Sequence, residues 1–510
     1  MCLNVMKIKT FAILILLVSV ADLKGLNSWD DPICRKIYEF QDRRNSAGLK
    51  PFLSDNNPYY RELAAIAFSS VQDTLMIPEL YERLKVEDVT KVRSELIRAL
   101  GQMYHTGVCN LLITQYPLET VERNKGLMLE AIGKCGGGNS VMFLEKLEIA
   151  GTDTLLSRYY SKAVFYLWRK KTMTDTMKGK VTVLYKRYPK DEFIGFVHGK
   201  LFVEKKVEAK GDKPKPEVMD DRALLAHIDV SPNAYAAVDY LKQFKLSKTL
   251  LLQLAFSHHP DYLKSFALEK YFEEKNPDTA VIRQCLNSGN IAFVAMAAEK
   301  IRKDSIWLQG DKKQVSYLEG IKHKLLMPQD FEAYIELEKT IAFLNKTKWN
   351  YTPPAYNHPI DWTYIQRLKR IEQVKITTGI GVLIMDCYVE DAPASVANFL
   401  KLVDSGFYNN RYFHRMVPDF VVQGGCPRGD GWGALNWTQR GEYGPRGYYR
   451  MGTVGLASAG KDSEGVQFFI THGYTPHLDG RYTVFGQITQ GLELIHLLNI
   501  GDRILSIERI

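Results

Sequence analysis

Recurring alanines in the first three-fifths of the chain restrict its possible folds more than any other feature of the sequence. One set lies at intervals of 32 residues: Ala67, Ala99, Ala131 and Ala163. A second set recurs every 31 residues: Ala236, Ala267 and Ala298. Apolar residues fall at helical spacing around both sets. A fixed period of this length indicates stacked pairs of helices, because a single pair is too small to bury its own apolar face.

We therefore predict an all-α solenoid over residues 55–345, with alanine at the points where two helices approach most closely. Its rhythm resembles HEAT repeats, although the period is shorter than usual, and an irregular all-helical domain is the alternative. An arginine lies shortly upstream of each alanine in the first set: Arg61, Arg93, Arg123 and Arg158. Arrays of this kind expose a long concave surface and commonly bind other proteins. We expect a docking platform for a protein partner there; a structural spacer is the other interpretation.

The length and charge of the chain limit its function classes. A chain of 510 residues is too long for one ordinary core, so at least two domains are expected. The 67 basic and 58 acidic residues leave a net charge of +9, which is spread thinly. No cluster of lysine and arginine is interleaved with aromatic residues, so no nucleic-acid partner is predicted.

The cysteines are scattered along the chain. Six of them lie beyond residue 21: Cys34, Cys109, Cys135, Cys285, Cys387 and Cys426. They form no CxxC motif and no Cys/His ligand spacing, so no metal site is predicted. Export would permit disulfides, but spacing does not give their pairing, and buried free thiols are the alternative.

The beginning of the sequence has the pattern of a secretory signal peptide. Lys7 and Lys9 precede an apolar run, residues 11–21, that ends in small residues. This run is shorter than the twenty or so residues that span a bilayer. We predict a signal peptide over residues 1–21 and export of the remainder with no integral membrane span. A retained membrane anchor is the alternative.

The pattern changes near Val374. Residues 348–361 are rich in proline and mark a linker, which we place at 346–373. Beyond it, apolar and polar residues alternate in short runs around glycine, as in β-hairpins. One helix is predicted after the first hairpin, with Ser395 as its cap. Its apolar face is Val396, Phe399, Leu400 and Val403. Many short strands around one or two helices indicate a closed antiparallel barrel.

Three sequence blocks within residues 374–510 carry a more specific signal. They read DAPASVANFLKLVDSGFYNNRYFHRMVPDFVVQGG, GLASAGKDSEGVQFFIT and HLDGRYTVFGQI. In order and spacing they resemble the cyclophilin family of peptidyl-prolyl isomerases, and the compact length resembles its bacterial members. The resemblance implies an eight-stranded antiparallel β-barrel capped by two helices, with the active groove on its outer face. It implies proline-containing polypeptide substrates and no cofactor or metal, and it says nothing of the first 370 residues.

The resemblance also implies a set of site residues. Arg415 matches the catalytic arginine of the family, and Gln423 matches the glutamine that orients it. Other matches would bind the substrate: Phe420, Val421, Phe469 and Leu478 as the proline pocket, Gln467 on the substrate backbone, and Ala457 with Ser458 at the residue before proline. Several substrate-binding positions depart from the common pattern. Val421 replaces a larger methionine, and Ser458 replaces asparagine. His477 stands where many members have tryptophan, and Tyr482 replaces a frequent pocket histidine.

An arginine among these apolar residues has a chemical use. Rotation about a peptide bond has a barrier of about 18–20 kcal/mol, and X-Pro isomers exchange over tens of seconds or more. Twisting the bond frees the lone pair of the proline nitrogen, to which a fixed guanidinium can donate a hydrogen bond. We therefore expect an exported peptidyl-prolyl isomerase in a bacterial periplasm, whose helical array holds clients. A non-catalytic scaffold or chaperone that binds proline-containing segments is the alternative.

Overall fold

The computed structural model describes residues 27–149, 153–202, 217–274 and 277–510. The predicted signal peptide, residues 1–21, lies outside the described residues. Within them, a long run of helices is followed by a closed antiparallel barrel of eight strands. This order confirms the predicted fold class.

The helical region begins with a short 3-10 turn, Ser28–Asp30, which lies before the predicted start at residue 55. Its helices are α1 Pro32–Asp42, α2 Ser46–Leu49, α3 Pro58–Val71, α4 Ile77–Val86, α5 Thr90–Gln102, α6 Thr106–Gln115, α7 Glu122–Cys135, α8 Gly138–Lys146, α9 Thr154–Arg169, α10 Asp175–Arg187, α11 Glu192–Phe202, α12 Asp221–Val230, α13 Ala234–Leu241, α14 Lys248–Ala255, α15 Asp261–Phe272, α16 Thr279–Asn287, α17 Ile291–Lys303, α18 Lys312–Lys322 and α19 Phe331–Leu344. Asparagine, aspartate or serine caps many of them; Asp153, for example, accepts from the backbone N–H groups of Leu155 and Leu156.

The recurring alanines lie where neighbouring helices approach closely. The four alanines of the first set are buried, and so are Ala267 and Ala298, whereas Ala236 is half-buried. A Cβ atom added to Gly133 of α7 would lie 2.5 Å from Cα of Ala163 on α9. No side chain larger than hydrogen fits at such a contact, so α7 and α9 pack almost backbone to backbone.

Three of the four arginines upstream of the first alanine set form a ladder of ion pairs in the described residues. Arg61 donates from Nε and Nη2 to the two carboxylate oxygens of Glu87, both at 2.8 Å. Arg93 pairs with Glu119 at 2.6 Å, and Arg158 pairs with Asp191. Each of these carboxylates lies between the second helix of a pair and the first helix of the next. The arginines therefore join successive repeats.

The predicted linker, residues 346–373, packs against both the helical region and the barrel domain. It contains helix α20 (Trp362–Ile365), and its side chains bond to both parts of the molecule. The hydroxyl of Tyr356 donates to Asp42, the last residue of α1, at 2.5 Å. The hydroxyl of Tyr351 donates to the carbonyl of Lys461 in the barrel domain at 2.6 Å.

The strands are β1 Ile371–Thr378, β2 Gly381–Tyr388, β3 Arg411–Val417, β4 Val421–Gly424, β5 Thr453–Leu456, β6 Phe468–Thr471, β7 Val484–Gln490 and β8 Arg503–Arg509. They pair in the order β1-β2-β7-β5-β6-β4-β3-β8, and β8 closes on β1. Every pair is antiparallel. Because the barrel is closed, it leaves no unpaired edge strand.

Helix α21, Pro393–Asp404, covers one end of the barrel with the predicted apolar face, whose four residues are all buried. The predicted cap, Ser395, is wrong: it lies inside the helix, and its hydroxyl donates to Glu442 at 2.6 Å. Glu442 also accepts from the backbone N–H groups of Ala394 and Ser395 and so caps the helix from another part of the chain. No second α-helix occurs among the described barrel residues. They contain two 3-10 turns instead, Pro476–Leu478 and Leu492–Leu494, and beside the latter Ile495 and Leu498 fill the core.

Most of the odd-numbered helices of the array face the barrel. The helices with a residue against the barrel domain are α1, α3, α5, α9, α11, α13, α15, α17 and α19. The contacts begin at Tyr38 of α1, whose hydroxyl donates to the carbonyl of Glu390 at 3.1 Å. They end at Glu332 of α19. The inner face of the array therefore holds the barrel of the same chain.

All six described cysteines are buried and unpaired, which agrees with the free-thiol interpretation. No helix in the described ranges is long and apolar enough to cross a membrane.

Candidate functional site

Strand pairing brings the two predicted catalytic residues together. β3 and β4 are joined by a tight turn, and their register places Arg415 directly opposite Gln423. The register shifts between Phe413 and Arg415, so both Phe413 and His414 are buried while Arg415 is exposed. Burial lowers the pKa of His414 to about 4, so this neighbour adds no positive charge beside the arginine at neutral pH.

A chain of side-chain hydrogen bonds holds the arginine. Nη1 of Arg415 donates to Oε1 of Gln423 at 3.4 Å, and Nε2 of Gln423 donates to Oε1 of Gln467 at 2.9 Å. Gln467 in turn donates to the carbonyls of Gly431 and Gly433 at 2.8 and 2.9 Å. Since these carbonyls can only accept, they fix the orientation of both amides along the chain.

An apolar pocket adjoins this chain. Val421, Phe469 and Leu478 are buried in one cluster, and Phe420 packs against it. Tyr448, which the sequence analysis missed, completes the cluster: it is fully buried, its ring stacks on Phe469, and its hydroxyl donates to the carbonyl of Thr483 at 3.1 Å. It comes from a glycine-rich loop without periodicity, so no local pattern could have found it.

Ten of the eleven predicted site residues line a single groove of about 300 Å³: Arg415, Phe420, Val421, Gln423, Ala457, Ser458, Gln467, Phe469, Leu478 and Tyr482. His477 does not line it. The imidazole of His477 stacks behind Phe420, with the ring centroids 5.4 Å apart, and its other neighbour is Phe165 of α9. Burial, together with the nearby Arg169 and Arg481, lowers the pKa of His477 to about 4. His477 therefore packs behind Phe420 and supports the pocket wall, and it does not line the groove as predicted.

Further residues line the groove that sequence reasoning did not single out. They include Trp437 and Thr438 from the loop after β4 and Glu332 from helix α19. Glu332 is separated from Arg415 by more than eighty positions in the sequence, and no motif connects the two. Only the packing of α19 against the barrel brings it to the groove.

The loop that carries Leu478 is held by the helical region. The hydroxyl of Tyr166 donates to the carbonyl of Pro476 at 2.7 Å, and Lys162 pairs with Asp479 at 3.1 Å. On the far side, Nε2 of Gln72 donates to the carbonyl of Gly480 at 2.8 Å. One wall of the apolar pocket therefore depends on helices α3 and α9 for its position.

The geometry suits the binding of an extended polypeptide with one apolar ring in the pocket. Arg415 is the single cation, and Glu332 the single anion, among the described residues that line the groove. Within the described ranges, no group of three or more His, Cys, Asp or Glu side chains could hold a metal ion. A guanidinium beside an apolar pocket can donate to a nitrogen lone pair as it forms, and this electrostatic stabilisation requires no covalent step.

Comparison with known proteins agrees with this geometry. The family model described as cyclophilin type peptidyl-prolyl cis-trans isomerase/CLD matches residues 373–506. Peptidyl-prolyl cis-trans isomerase B of Bacillus subtilis (strain 168) is 48% identical over 118 residues, which are 23% of this chain and 82% of that protein. A peptidyl-prolyl cis-trans isomerase of Synechococcus elongatus is 41% identical over 138 residues, covering 27% of this chain and 94% of the relative.

A crystal structure of a cyclophilin type peptidyl-prolyl cis-trans isomerase of Cryptosporidium parvum is 32% identical, with a TM-score of 0.27; it covers 28% of this chain and 98% of that one. The family model matches the part of the chain that builds the barrel, the hydrogen-bonded arginine and the apolar pocket. The chain therefore belongs to the cyclophilin-type peptidyl-prolyl cis-trans isomerases.

Proposed function

We propose that the groove isomerises X-Pro bonds of polypeptides that enter it from solution, with Arg415 as the catalytic residue and Gln423 as the residue that positions it. The hydrogen-bonded chain from Arg415 through Gln423 to Gln467 carries this proposal, because it fixes a cation at the rim of an apolar pocket. The proline ring would occupy the pocket formed by Phe420, Phe469 and Leu478. The guanidinium would then stabilise the twisted bond more than the planar one.

The test is the rate of proline isomerisation in a short peptide with the full chain and its variants. Arg415→Ala should lower kcat/KM by roughly 10²–10³-fold, as expected for removal of a directed donor in a transition state. Arg503→Ala is the matched control, because Arg503 is an exposed arginine of the same barrel that does not line the groove. Equal rates for wild type and Arg415→Ala would favour the alternative, a scaffold or chaperone that binds proline-containing segments without catalysis.

For the helical region we propose the role of a cradle that positions the pocket wall. Its inner helices contact the barrel from Tyr38 to Glu332, and the loop beside Leu478 is bonded to Tyr166. The sequence predicts a docking platform for clients or a partner on this region. Because the inner helices already face the barrel, we propose that a client meets the helical region at the edge of the groove, where Glu332 lies.

We propose that the enzyme acts on exported proteins, in a bacterial periplasm. The support is the leader-like pattern of residues 1–21, where Lys7 and Lys9 precede an apolar run. Amino-terminal sequencing of the protein recovered from fractionated cells tests this. A periplasmic form that begins near Asp22 would agree, whereas an intact leader on cytosolic protein would contradict it.

A further inference from the structure

The groove continues from the barrel onto the helical region. Glu332 lies in the first turn of α19 and lines the groove that contains Arg415. A second cavity of about 300 Å³ adjoins it, and Glu332 and Ala459 border both. The remaining walls of the second cavity are Ala295, Glu299, Ile335, Glu336, Lys339 and Trp432. A polypeptide in the groove therefore has a path past Ala459 onto the surface of α17 and α19.

Glu332 differs from the acidic residues around it. Glu336 already accepts from Arg302 at 2.7 Å and from Lys339 at 2.6 Å. Glu332 forms no hydrogen bond or ion pair with another described residue, although it lies in the wall between two cavities. Burial, with the nearby Asp430 and Glu336, raises the pKa of Glu332 to about 7. A cation that binds close to such a buried, unpaired carboxyl group stabilises its ionised form.

The position of Glu332 indicates which part of the substrate it would meet. Ala457 and Ser458 match the positions at which the family binds the residue before proline, and both line the groove. Ala459 follows them and borders the second cavity. A substrate chain that extends from this residue towards Ala459 would therefore pass beside Glu332.

We propose that Glu332 is a specificity-determining residue, which selects polypeptides carrying lysine or arginine two or three residues before the proline. This inference rests on the proposed function, because it assumes that proline enters the pocket beside Arg415. The long side chain of lysine or arginine can extend into the second cavity and place its cation against the Glu332 carboxylate. The helical region would thus contribute a substrate contact that the barrel alone does not contain.

The test uses the full chain and three peptides that contain Lys-Lys-Ala-Pro, Gln-Gln-Ala-Pro or Glu-Glu-Ala-Pro. We expect kcat/KM to be about fivefold higher for the lysine peptide than for the glutamine peptide at low salt and pH 8, and lowest for the glutamate peptide. Glu332→Gln should remove the difference between the first two, and Glu332→Lys should reverse the order. Glu338→Gln is the matched control on the same helix, because Glu338 pairs with Lys322 away from both cavities and should leave the preference unchanged.

The outcomes separate this inference from the function on which it rests. Isomerisation of all three peptides at equal rates contradicts the inference and leaves the proposed function standing. A lysine preference that persists in Glu332→Gln also contradicts it, because another group would then select the cation. Failure to isomerise any of the peptides contradicts the proposed function and this inference together.

Discussion

Nζ of Lys162 lies 3.1 Å from Oδ2 of Asp479, although Lys162 belongs to the helical region and Asp479 to the barrel domain. Both side chains are only 4% exposed. Asp479 directly follows Leu478, and its other oxygen accepts from the backbone N–H of Tyr448 at 2.8 Å. Both of those residues form the apolar pocket. This buried ion pair thus connects helix α9 to Leu478 and Tyr448, two residues of the apolar pocket.

Replacing Lys162 by methionine should lower both stability and substrate binding. The change leaves Asp479 buried without its cation and leaves Glu130 with Lys134 as its remaining ion-pair partner. Removal of one partner from a buried pair costs about 3–5 kcal/mol. We expect a lower midpoint of urea unfolding and a higher KM for a proline peptide.

Lys186→Met is the control for this change, because Lys186 is an exposed lysine of the helical region. It should leave both quantities unchanged. An unchanged KM for Lys162→Met in folded protein would contradict the idea that α9 positions the pocket.

Gln423→Leu should reduce catalysis without weakening substrate binding. Leucine cannot accept from Arg415 or donate to Gln467, so the guanidinium loses the group that aims it. We expect kcat to fall about tenfold or more while KM stays close to that of the wild type. Gln423→Glu should retain more activity, because a carboxylate still accepts from the arginine. A loss confined to KM, or equal activities for both variants, would speak against a positioning role.

The ladder of arginines predicts how stability depends on pH. Burial opposes ionisation of Glu87, but the hydrogen bonds and charges of Arg61 and Arg83 outweigh it and lower the pKa of this carboxyl from 4.5 to about 2. A pKa lowered by folding contributes stability above pH 4.5, and that contribution is lost as the pH falls towards 2. Glu87→Gln should therefore unfold at lower urea concentration than the wild type at pH 7, with the difference shrinking between pH 4.5 and 3. A constant difference across that range would contradict this assignment.

Sequence patterns predicted the parts of the molecule that depend on local order. The strand and helix assignments of the barrel follow from the alternation of short apolar runs after Val374 and from the apolar face of α21. The roles of Arg415 and Gln423 follow from the resemblance of the surrounding sequence block to the cyclophilin family, and the tight turn between β3 and β4 brings the two residues opposite each other. The recurring alanines predicted helix contacts because a small side chain is required wherever two backbones meet.

The parts that depend on distant contacts could not be predicted in this way. Ser395 has the residue type of a helix cap, but the carboxylate that caps α21 is supplied by Glu442 from a later loop. His477 occupies a pocket position in the sequence match, yet the aromatic surface of Phe165 on α9 draws it behind Phe420. Glu332 reaches the groove only because the helical array closes around the barrel. A single sequence contains no pattern that relates residues so far apart.

Two glycines allow the packing of the array to be tested with one type of substitution. A Cβ atom at Gly133 would lie 2.5 Å from Cα of Ala163, so Gly133→Ala must push α7 and α9 apart and should cost about 1–3 kcal/mol of stability. Gly179 of α10 is exposed, and a Cβ atom added there would meet no neighbouring side chain or helix within 4 Å. Gly179→Ala should therefore stabilise the helix by up to about 1 kcal/mol. Urea unfolding of both variants measures the two effects. Equal shifts of the same sign would mean that α7 and α9 are not in backbone contact, and the cradle that holds the Leu478 loop through α9 would then need a different explanation.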